Sequence, residues 1–157
     1  MHSYRTHHCA ELTASDIGQT VRLSGWVHRK RDHGGVVFID LRDHFGLTQC
    51  VIDSSDAHFS EVEGVRNETV LTITGSVRAR SEDTVNASLP TGAIEVHIGD
   101  VAIQSVADTL PIQVNSDEDS SEELRLKYRY LDLRRQRPHA NIMLRAQIIQ
   151  SIRNRMT

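Results

Sequence analysis

The chain has 157 residues, of which 38% are hydrophobic and 25% charged, and its net charge is −3. This composition is typical of a folded domain with its own core, and the acidic balance argues against a protein that coats any nucleic acid indiscriminately. The apolar runs are too short to cross a membrane, and the first residues lack the apolar stretch of a secretion signal.

The charge is unevenly distributed. Residues 1–114 carry 9 Lys and Arg against 15 Asp and Glu, whereas residues 115–157 carry 9 against 6. In the first part the positive charge is concentrated at Arg29, Lys30, Arg31, Arg78 and Arg80. An acidic protein that is basic only at its contact can bind one particular nucleic acid, although scattered solvated charges are the alternative.

The N-terminal residues 1–12 are polar and are predicted to be loosely held. The His and Cys residues among them follow no zinc spacing, so we predict no metal site. Cys9 and Cys50 form no close-spaced pair, which favours free thiols in a reducing compartment and hence the cytoplasm. Residues 12–18 are predicted to form a helical turn capped by Thr13 and ended by Gly18.

Alternating apolar residues predict three strands, at residues 20–29, 36–43 and 47–53. The turn after the first strand spans residues 30–35, where two glycines supply positive-φ freedom. On the second strand Val37, Ile39 and Leu41 share the core face, and Phe38 points to the opposite face. Gln49 on the third strand is predicted to share the face of Phe38.

A short helix is predicted at residues 54–65, capped by Ser54 or Ser55 and ended by Gly64. Two more strands follow, at residues 69–80 and 93–103, with a polar loop between them. The apolar parity of the last strand changes at Gly99, which predicts a β-bulge.

Three strands, a short helix and two strands are the order of a five-stranded OB-fold barrel, so a mainly β domain is predicted for residues 1–107. Such barrels bind oligonucleotides on strands 2 and 3, aided by the loops between strands 1 and 2 and strands 4 and 5. Phe38 and Gln49 fall on that face. The alternative for Phe38 is a small hydrophobic cluster on the outside of the sheet.

A helical linker is predicted at residues 108–137, containing Pro111, an acidic run at 117–119 and a short helix at 121–128. Pro138 suits a first helical position, and apolar residues then recur at helical spacing. This pattern predicts that residues 138–157 are the start of a further helical domain or one half of a helical contact.

The sequence contains no recognisable catalytic constellation. The carboxylate of Glu95 accepts hydrogen bonds only and suits the two adjacent N–H donors of guanine, whereas Gln49 suits a pyrimidine edge. Arg31 and Arg80 can stack on a base or hold phosphate, and Phe38 can stack. The alternative for Glu95 is a surface ion pair with Arg78 or Arg80.

Two segments, GWVHRKRDHGGVVFIDLRDHFGLTQCVID and LRLKYRYLDLRR, strongly resemble the N-terminal part of bacterial-type aspartyl-tRNA synthetases, which are class II aminoacyl-tRNA synthetases. The resemblance implies an anticodon-binding OB domain whose tRNA contacts are Arg31, Phe38, Gln49, Arg80 and Glu95. It also implies a homodimer that joins aspartate to tRNA-Asp with ATP and Mg²⁺, through a catalytic domain beyond residue 157. The helix at 138–157 would then serve dimerisation.

The resemblance also bears on tRNA specificity, because tRNA-Asp and tRNA-Asn differ at the third anticodon base. Strict bacterial members tend to have Leu where this chain has His33, and members that also charge tRNA-Asn tend to have His followed by Gly. In the loop at 81–92, family members often carry Asn where this chain has Thr84 or Asn86. A solvated turn histidine is the alternative for His33.

A general single-strand binder and a pure interaction module remain alternatives for the chain.

Overall fold

The computed structural model describes residues 4–116 and 120–156, so His2 and the acidic run at 117–119 lie outside the described residues. The chain divides into two compact units, the first ending at Asp108 and the second beginning at Thr109. The predicted end of the first domain at residue 107 lies one residue away. The further predicted division at residue 137 remains a prediction.

The first unit consists of five strands, one α-helix and two 3-10 turns. In chain order these are a 3-10 turn at Ala14–Asp16, β1 at Thr20–Asp32, β2 at Val36–Arg42, β3 at Leu47–Asp53, α1 at Phe59–Glu63, β4 at Val70–Ala79, a 3-10 turn at Glu82–Thr84 and β5 at Ile94–Ser105. The strands form a closed barrel in the order β1-β2-β3-β5-β4. The predicted mainly β, five-stranded OB fold is confirmed.

Each strand packs one side into the barrel. Every second residue of β2 is buried, namely Val37, Ile39 and Leu41, and β1 behaves in the same way from Val21 to Val27. All strand pairs are antiparallel except β3 with β5, which run parallel where the barrel closes. The bulge predicted in β5 is present, because Gly99 lies between the paired residues Ile98 and Asp100 without a partner on β4.

β1 is three residues longer than predicted and contains a bulge that was not predicted. Val27 pairs with Leu41 and Arg29 pairs with Asp40, so His28 is an extra residue in the ladder. An extra residue reverses the parity of everything after it. The segment interpreted as a turn from residue 30 is therefore strand as far as Asp32, and only the tight turn at Gly34 and Gly35, with φ of 62° and 107°, was placed correctly.

The helix α1 is much shorter than the predicted 54–65. Its N-cap is His58, which makes no capping hydrogen bond from its side chain, so the prediction of Ser54 or Ser55 as the cap was wrong. The carboxylate of Asp53 accepts hydrogen bonds from the backbone N–H and the hydroxyl of Ser55, at 3.0 and 2.9 Å. These bonds hold a turn that uses the serine before the helix begins.

The N-terminal segment is anchored to the barrel, contrary to the prediction that all of residues 1–12 are loosely held. Cys9 and Leu12 are buried in the core. The Cys9 N–H donates to the buried carboxylate of Asp43 at 3.0 Å, and the same carboxylate accepts from the N–H groups of Phe45 and Gly46. Asp43 therefore fastens the chain start to the turn between β2 and β3. As predicted, Thr13 caps the first helical turn.

The second unit is helical, with α2 at Glu122–Lys127, α3 at Arg129–Asp132 and α4 at Gln136–Met156. Ser121 caps α2, which lies within the short helix predicted at residues 121–128. The fully buried Asp132 forms ion pairs with Arg125, Arg129 and Arg135 at 3.0, 2.8 and 3.7 Å. Such a centre holds the short helices together, since each cation offsets the cost of burying the carboxylate.

The helix α4 begins two residues before the position predicted from Pro138. The proline occupies the third residue of the helix, where its missing N–H costs nothing because first-turn N–H groups have no partner within a helix. None of the residues of α4 is buried in the described part of the chain, and Ile142, Leu144, Ile148 and Ile152 are exposed. Within residues 4–116 and 120–156, no helix is long and apolar enough to cross a membrane.

Candidate nucleic-acid interface

Phe38 lies on the outside of the barrel, beside Arg31. The two residues pair across β1 and β2, and the guanidinium carbon of Arg31 lies 5.9 Å from the centre of the ring. The bulge at His28 produces this pairing because it turns Arg31 outward. The ring of His33 meets Phe38 edge-on, with ring centres 5.5 Å apart. Phe38 is half-buried and is not a member of the hydrophobic core, and its neighbours on this face include the polar Arg31 and His33 and the buried Val51, its partner on β3.

Gln49 lies at the centre of the same face, because it pairs with Asp40 across β2 and β3. Its amide oxygen accepts a hydrogen bond from Arg31 Nη2 at 3.2 Å and one from Arg80 Nη2 at 2.7 Å. Its amide nitrogen donates to Glu95 Oε2 at 3.2 Å. Only 4% of the residue is exposed. Gln49 therefore links the two arginines to the carboxylate.

Glu95 is held from both sides. Its Oε1 lies 3.0 Å from Nε2 of His97, and its Oε2 lies 3.9 Å from Nε of Arg80. The ion pair between Glu95 and Arg80 that was the alternative interpretation is thus present, within a larger network. Asp40 adds a second carboxylate, which accepts from Arg31 Nη2 at 2.7 Å.

We name these six side chains the Gln49 cluster: Arg31, Asp40, Gln49, Arg80, Glu95 and His97. Two arginine N–H groups in it make no hydrogen bond. Nε of Arg31 and Nε of Arg80 are buried and have no hydrogen-bond partner within residues 4–116 and 120–156. A buried donor without a hydrogen bond costs about 1–3 kcal/mol, a cost that the carboxylate of Glu95, 3.9 Å from Nε of Arg80, partly offsets.

Sequence reasoning brought four of the six residues together and missed two. Asp40 shares the parity of Phe38 on β2, and His97 shares the parity of Glu95 on β5. Both could have been found from that parity, but their partners depend on the register between strands. That register places Phe38 opposite Val51, and Val51 beside His97.

Thr84 and Asn86 lie in the loop between β4 and β5, and their side chains form hydrogen bonds with other residues of that loop. Thr84 donates to the carbonyl oxygen of Ser81 at 3.0 Å, and Asn86 Oδ1 accepts from the N–H of Ser88 at 3.0 Å. The loop closes onto Gly92, whose carbonyl oxygen accepts from the N–H of Asn86 at 3.0 Å.

The same carbonyl of Gly92 ties the loop to the Gln49 cluster. It also accepts a hydrogen bond from Nη1 of Arg80, at 3.3 Å. The arrangement requires glycine, since a Cβ at position 92 would lie 1.8 Å from the carbonyl oxygen of Asn86. One backbone carbonyl therefore joins the base of the loop to Arg80.

The two cysteines take no part in this face. Burial raises the pKa of both Cys9 and Cys50 far above the usual range, so both are thiols rather than thiolates at neutral pH. In the described ranges, 4–116 and 120–156, no three His, Cys, Asp or Glu side chains are grouped so that they could hold a metal ion. The chemistry of the face is hydrogen bonding, charge and stacking.

Comparison with protein families gives two matches that follow one another along the chain. Residues 21–103 match the family described as OB-fold nucleic acid binding domain. Residues 121–157 match the family described as tRNA synthetases class II (D, K and N). The family resemblance inferred from the sequence is confirmed by these matches and by the relatives below.

The chain is similar over its whole length to larger proteins. It is 59% identical over 157 residues to an aspartate–tRNA(Asp/Asn) ligase of Erythrobacter litoralis, covering 100% of this chain and 26% of the relative. It is 60% identical over 156 residues to the protein of the same name in Methylorubrum populi, covering 99% and 26%. The chain thus spans 26% of the length of these curated relatives.

A solved structure shares the fold. The crystal structure of asparaginyl-tRNA synthetase from Pyrococcus horikoshii matches with a TM-score of 0.82 and 26% identity, over 94% of this chain and 34% of that one.

Proposed function

Since this chain belongs to the family of OB-fold nucleic acid binding domains, we propose that its outer β-face recognises the anticodon of tRNA-Asp. The relatives named aspartate–tRNA(Asp/Asn) ligase support this assignment and extend the proposal to tRNA-Asn. Arg31, Phe38, Gln49, Arg80 and Glu95 are proposed to make the contacts. His33, Thr84 and Asn86 are proposed to tune specificity.

The observation that carries the proposal is the Gln49 cluster beside Phe38. A flat ring beside the guanidinium of Arg31 offers a stacking platform for an unpaired base and positive charge for its phosphate. Glu95 adds an acceptor-only group, which suits the paired N–H donors of guanine.

Gln49 is proposed to act mainly by holding its neighbours in place. Its oxygen already accepts two arginine donors and its nitrogen already donates to Glu95. One amide N–H of the side chain is left for a pyrimidine, since an amide nitrogen carries two hydrogens. A base that reached this group would have to displace or share existing bonds.

The activity proposed for the whole protein is ligation of aspartate to tRNA. ATP and Mg²⁺ would serve aspartate activation in a catalytic domain, and α4 would contribute to a homodimer, as the class II match to residues 121–157 supports. Action in the cytoplasm, where protein synthesis uses tRNA, belongs to the same proposal. No step of that chemistry is assigned to the residues described above.

The test replaces Glu95 by Gln and measures the affinity of this chain for anticodon hairpins that differ only in the first anticodon base. The amide keeps one acceptor oxygen but loses the charge and the second acceptor. We expect the preference for guanine over adenine to fall by about tenfold, the loss expected for a charge-assisted hydrogen bond of 1.5 kcal/mol.

An equal loss for all first bases would show that Glu95 only supports the fold. A wild-type chain that binds poly-dT as well as the hairpin, with a steep salt dependence, would instead identify a general single-strand binder.

A further inference from the structure

His97 contacts the proposed guanine-recognition group, although no feature of the sequence pattern singles it out. Its Nε2 lies 3.0 Å from Oε1 of Glu95, two residues earlier on β5. Both side chains leave the same side of the strand, since residues two apart share a face. The His97 side chain is 32% exposed and that of Glu95 is 18% exposed, so the pair lies at the rim of the face.

The direction of this hydrogen bond follows from the chemistry of the partners. A carboxylate only accepts, so Nε2 of His97 must carry the hydrogen. The other oxygen, Oε2, accepts from the Gln49 amide at 3.2 Å. The two donors approach different oxygens and so fix the plane of the carboxylate.

Acceptor capacity remains after both bonds are made. Each carboxylate oxygen has two lone-pair sites, and the contacts recorded within hydrogen-bond distance use one site on each oxygen. The remaining pair of sites, one per oxygen, is what a base with two adjacent N–H groups requires. A carboxylate that rotated freely would offer this pair only part of the time.

We propose that His97 is a positioning residue, which holds the Glu95 carboxylate in the plane that accepts two adjacent N–H donors of one base. The proposal rests on the proposed role of Glu95 in recognising guanine. His97 itself need not touch the base. His97 is expected to affect which base is preferred rather than the overall affinity for RNA. Stacking of the base and binding of phosphate are proposed for other residues of the face, namely Phe38 and the arginines.

The experiment measures binding of this chain to three anticodon hairpins that differ only at the first anticodon position, which is guanosine, inosine or adenosine. Inosine keeps the N1–H donor of guanosine and lacks the 2-amino donor, so the guanosine-to-inosine ratio reports the second hydrogen bond. The variants are His97→Leu, which fills similar space without a donor, and His97→Gln, whose amide nitrogen can donate in place of Nε2. His44→Leu, in the turn after β2, is the matched control for loss of a histidine.

We expect His97→Leu to lower the guanosine-to-inosine affinity ratio about three- to tenfold, the effect of one weakened charge-assisted hydrogen bond. His97→Gln should keep most of the ratio, and His44→Leu should keep all of it. Affinity for the adenosine hairpin should be little changed in every variant, since adenosine lacks the N1–H donor.

Three results overturn the inference. In the first, His97→Leu keeps the full ratio while Glu95→Gln loses it, which leaves the proposed function standing without His97. In the second, His97→Leu weakens all three hairpins equally, which assigns His97 to the fold. If Glu95→Gln itself keeps the ratio, the proposed function fails at Glu95 and the role of His97 fails with it.

Should His97→Leu fail to fold, judged by the fluorescence of Trp26, the comparison passes to His97→Gln and His97→Asn. The shorter Asn cannot place its donor at the position of Nε2. We then expect Gln to keep the ratio and Asn to lose it, and equal ratios in the two variants would overturn the inference.

Discussion

At the scale of single residues, the ring of Phe38 is available to a base because the fold does not use it. Phe38 lies outside the hydrophobic core and between Arg31 and His33. Phe38→Ala should therefore weaken binding of the tRNA-Asp anticodon hairpin by about 1–3 kcal/mol and leave the urea unfolding midpoint nearly unchanged.

Phe45→Ala is the matched control, because Phe45 is an exposed aromatic in the turn after β2. It should leave RNA affinity unaltered. A Phe38→Ala protein that unfolds, yet binds RNA normally in its folded fraction, would show that the ring is structural.

His33 is the residue where specificity between two tRNAs is predicted to lie. It is exposed, and its ring meets the edge of Phe38 at 5.5 Å, beside the proposed stacking platform. An imidazole can donate and accept, so it can tolerate either cytosine or uracil at the third anticodon base.

In the proposed full-length ligase, His33→Leu should raise the ratio of kcat/KM for tRNA-Asp over tRNA-Asn several-fold, or by about 1 kcal/mol. The ratio of the two initial aminoacylation rates at low tRNA measures it. A parent enzyme that already rejects tRNA-Asn, or a ratio that does not move, would contradict this role and favour a solvated turn histidine.

At the scale of elements, the sequence predicts where strands lie better than how they are joined. The alternation of apolar residues located all five strands, because one face of each is buried in a closed barrel. The change of parity in β5 revealed the bulge at Gly99, since apolar residues continue on both sides of it. The bulge at His28 was hidden, because the residues after it are polar and carry no parity signal.

The Gln49 cluster illustrates the same limit. Sequence parity placed Phe38 and Gln49 on one face, but which arginine reaches the amide depends on the register between strands. Arg31 lies on β1 and Arg80 directly follows β4. Both reach Gln49 on β3 because β2 pairs with β1 on one side of β3 and β5 pairs with β4 on the other. Such a contact is a product of topology, which local patterns do not specify.

The pairing of β4 with β5 depends on a residue without a side chain. A Cβ at Gly75 would lie 2.2 Å from the carbonyl oxygen of His97, whereas a Cβ at Gly99 would lie 3.7 Å from its nearest neighbour, the carbonyl oxygen of Thr74. Gly75→Ala should therefore destabilise the chain by more than about 4 kcal/mol, since backbone cannot move aside cheaply.

Gly99→Ala, in the bulge of the same ladder, is the control and should change the free energy of unfolding by less than about 1 kcal/mol, because neither clash nor positive φ opposes it. Urea unfolding followed by circular dichroism gives both values. Similar stabilities for the two variants would mean that the close approach at position 75 can relax.

At the scale of the whole molecule, the stability of the barrel should depend on pH through His28. Burial lowers the pKa of His28 below its usual 6.5, and the neighbouring charge of Arg42 lowers it further. Nδ1 of His28 lies 2.9 Å from Nη1 of Arg42, which fits a neutral ring that accepts. The unfolded chain binds a proton on His28 more readily than the folded chain does. The stabilisation of the folded state by neutral His28 is therefore fully present above pH 6.5 and is lost as the pH falls below it.

The free energy of unfolding should consequently rise with pH just below pH 6.5, by at most about 1.4 kcal/mol per pH unit from this one group. In His28→Gln, whose amide oxygen can still accept from Arg42, this slope should be smaller. Fluorescence of Trp26 during urea unfolding measures both proteins. Equal slopes in the two proteins would assign the pH dependence to other groups. Asp16 and Asp53 do not contribute near pH 6.5, because hydrogen bonds lower their pKa values from 3.8 and they titrate at lower pH.

The extra residue at His28 has a consequence for how variation in this chain is to be interpreted. Before it, odd-numbered residues of β1 fill the barrel; after it, Arg31 is odd-numbered and faces the proposed RNA site. Removing His28 itself would turn the ladder from Val27 to Arg29 into a regular one and would keep Arg31 opposite Phe38. A related chain with one residue fewer at this point is therefore expected to present the same outer face, even though its residues carry the opposite parity in the numbering.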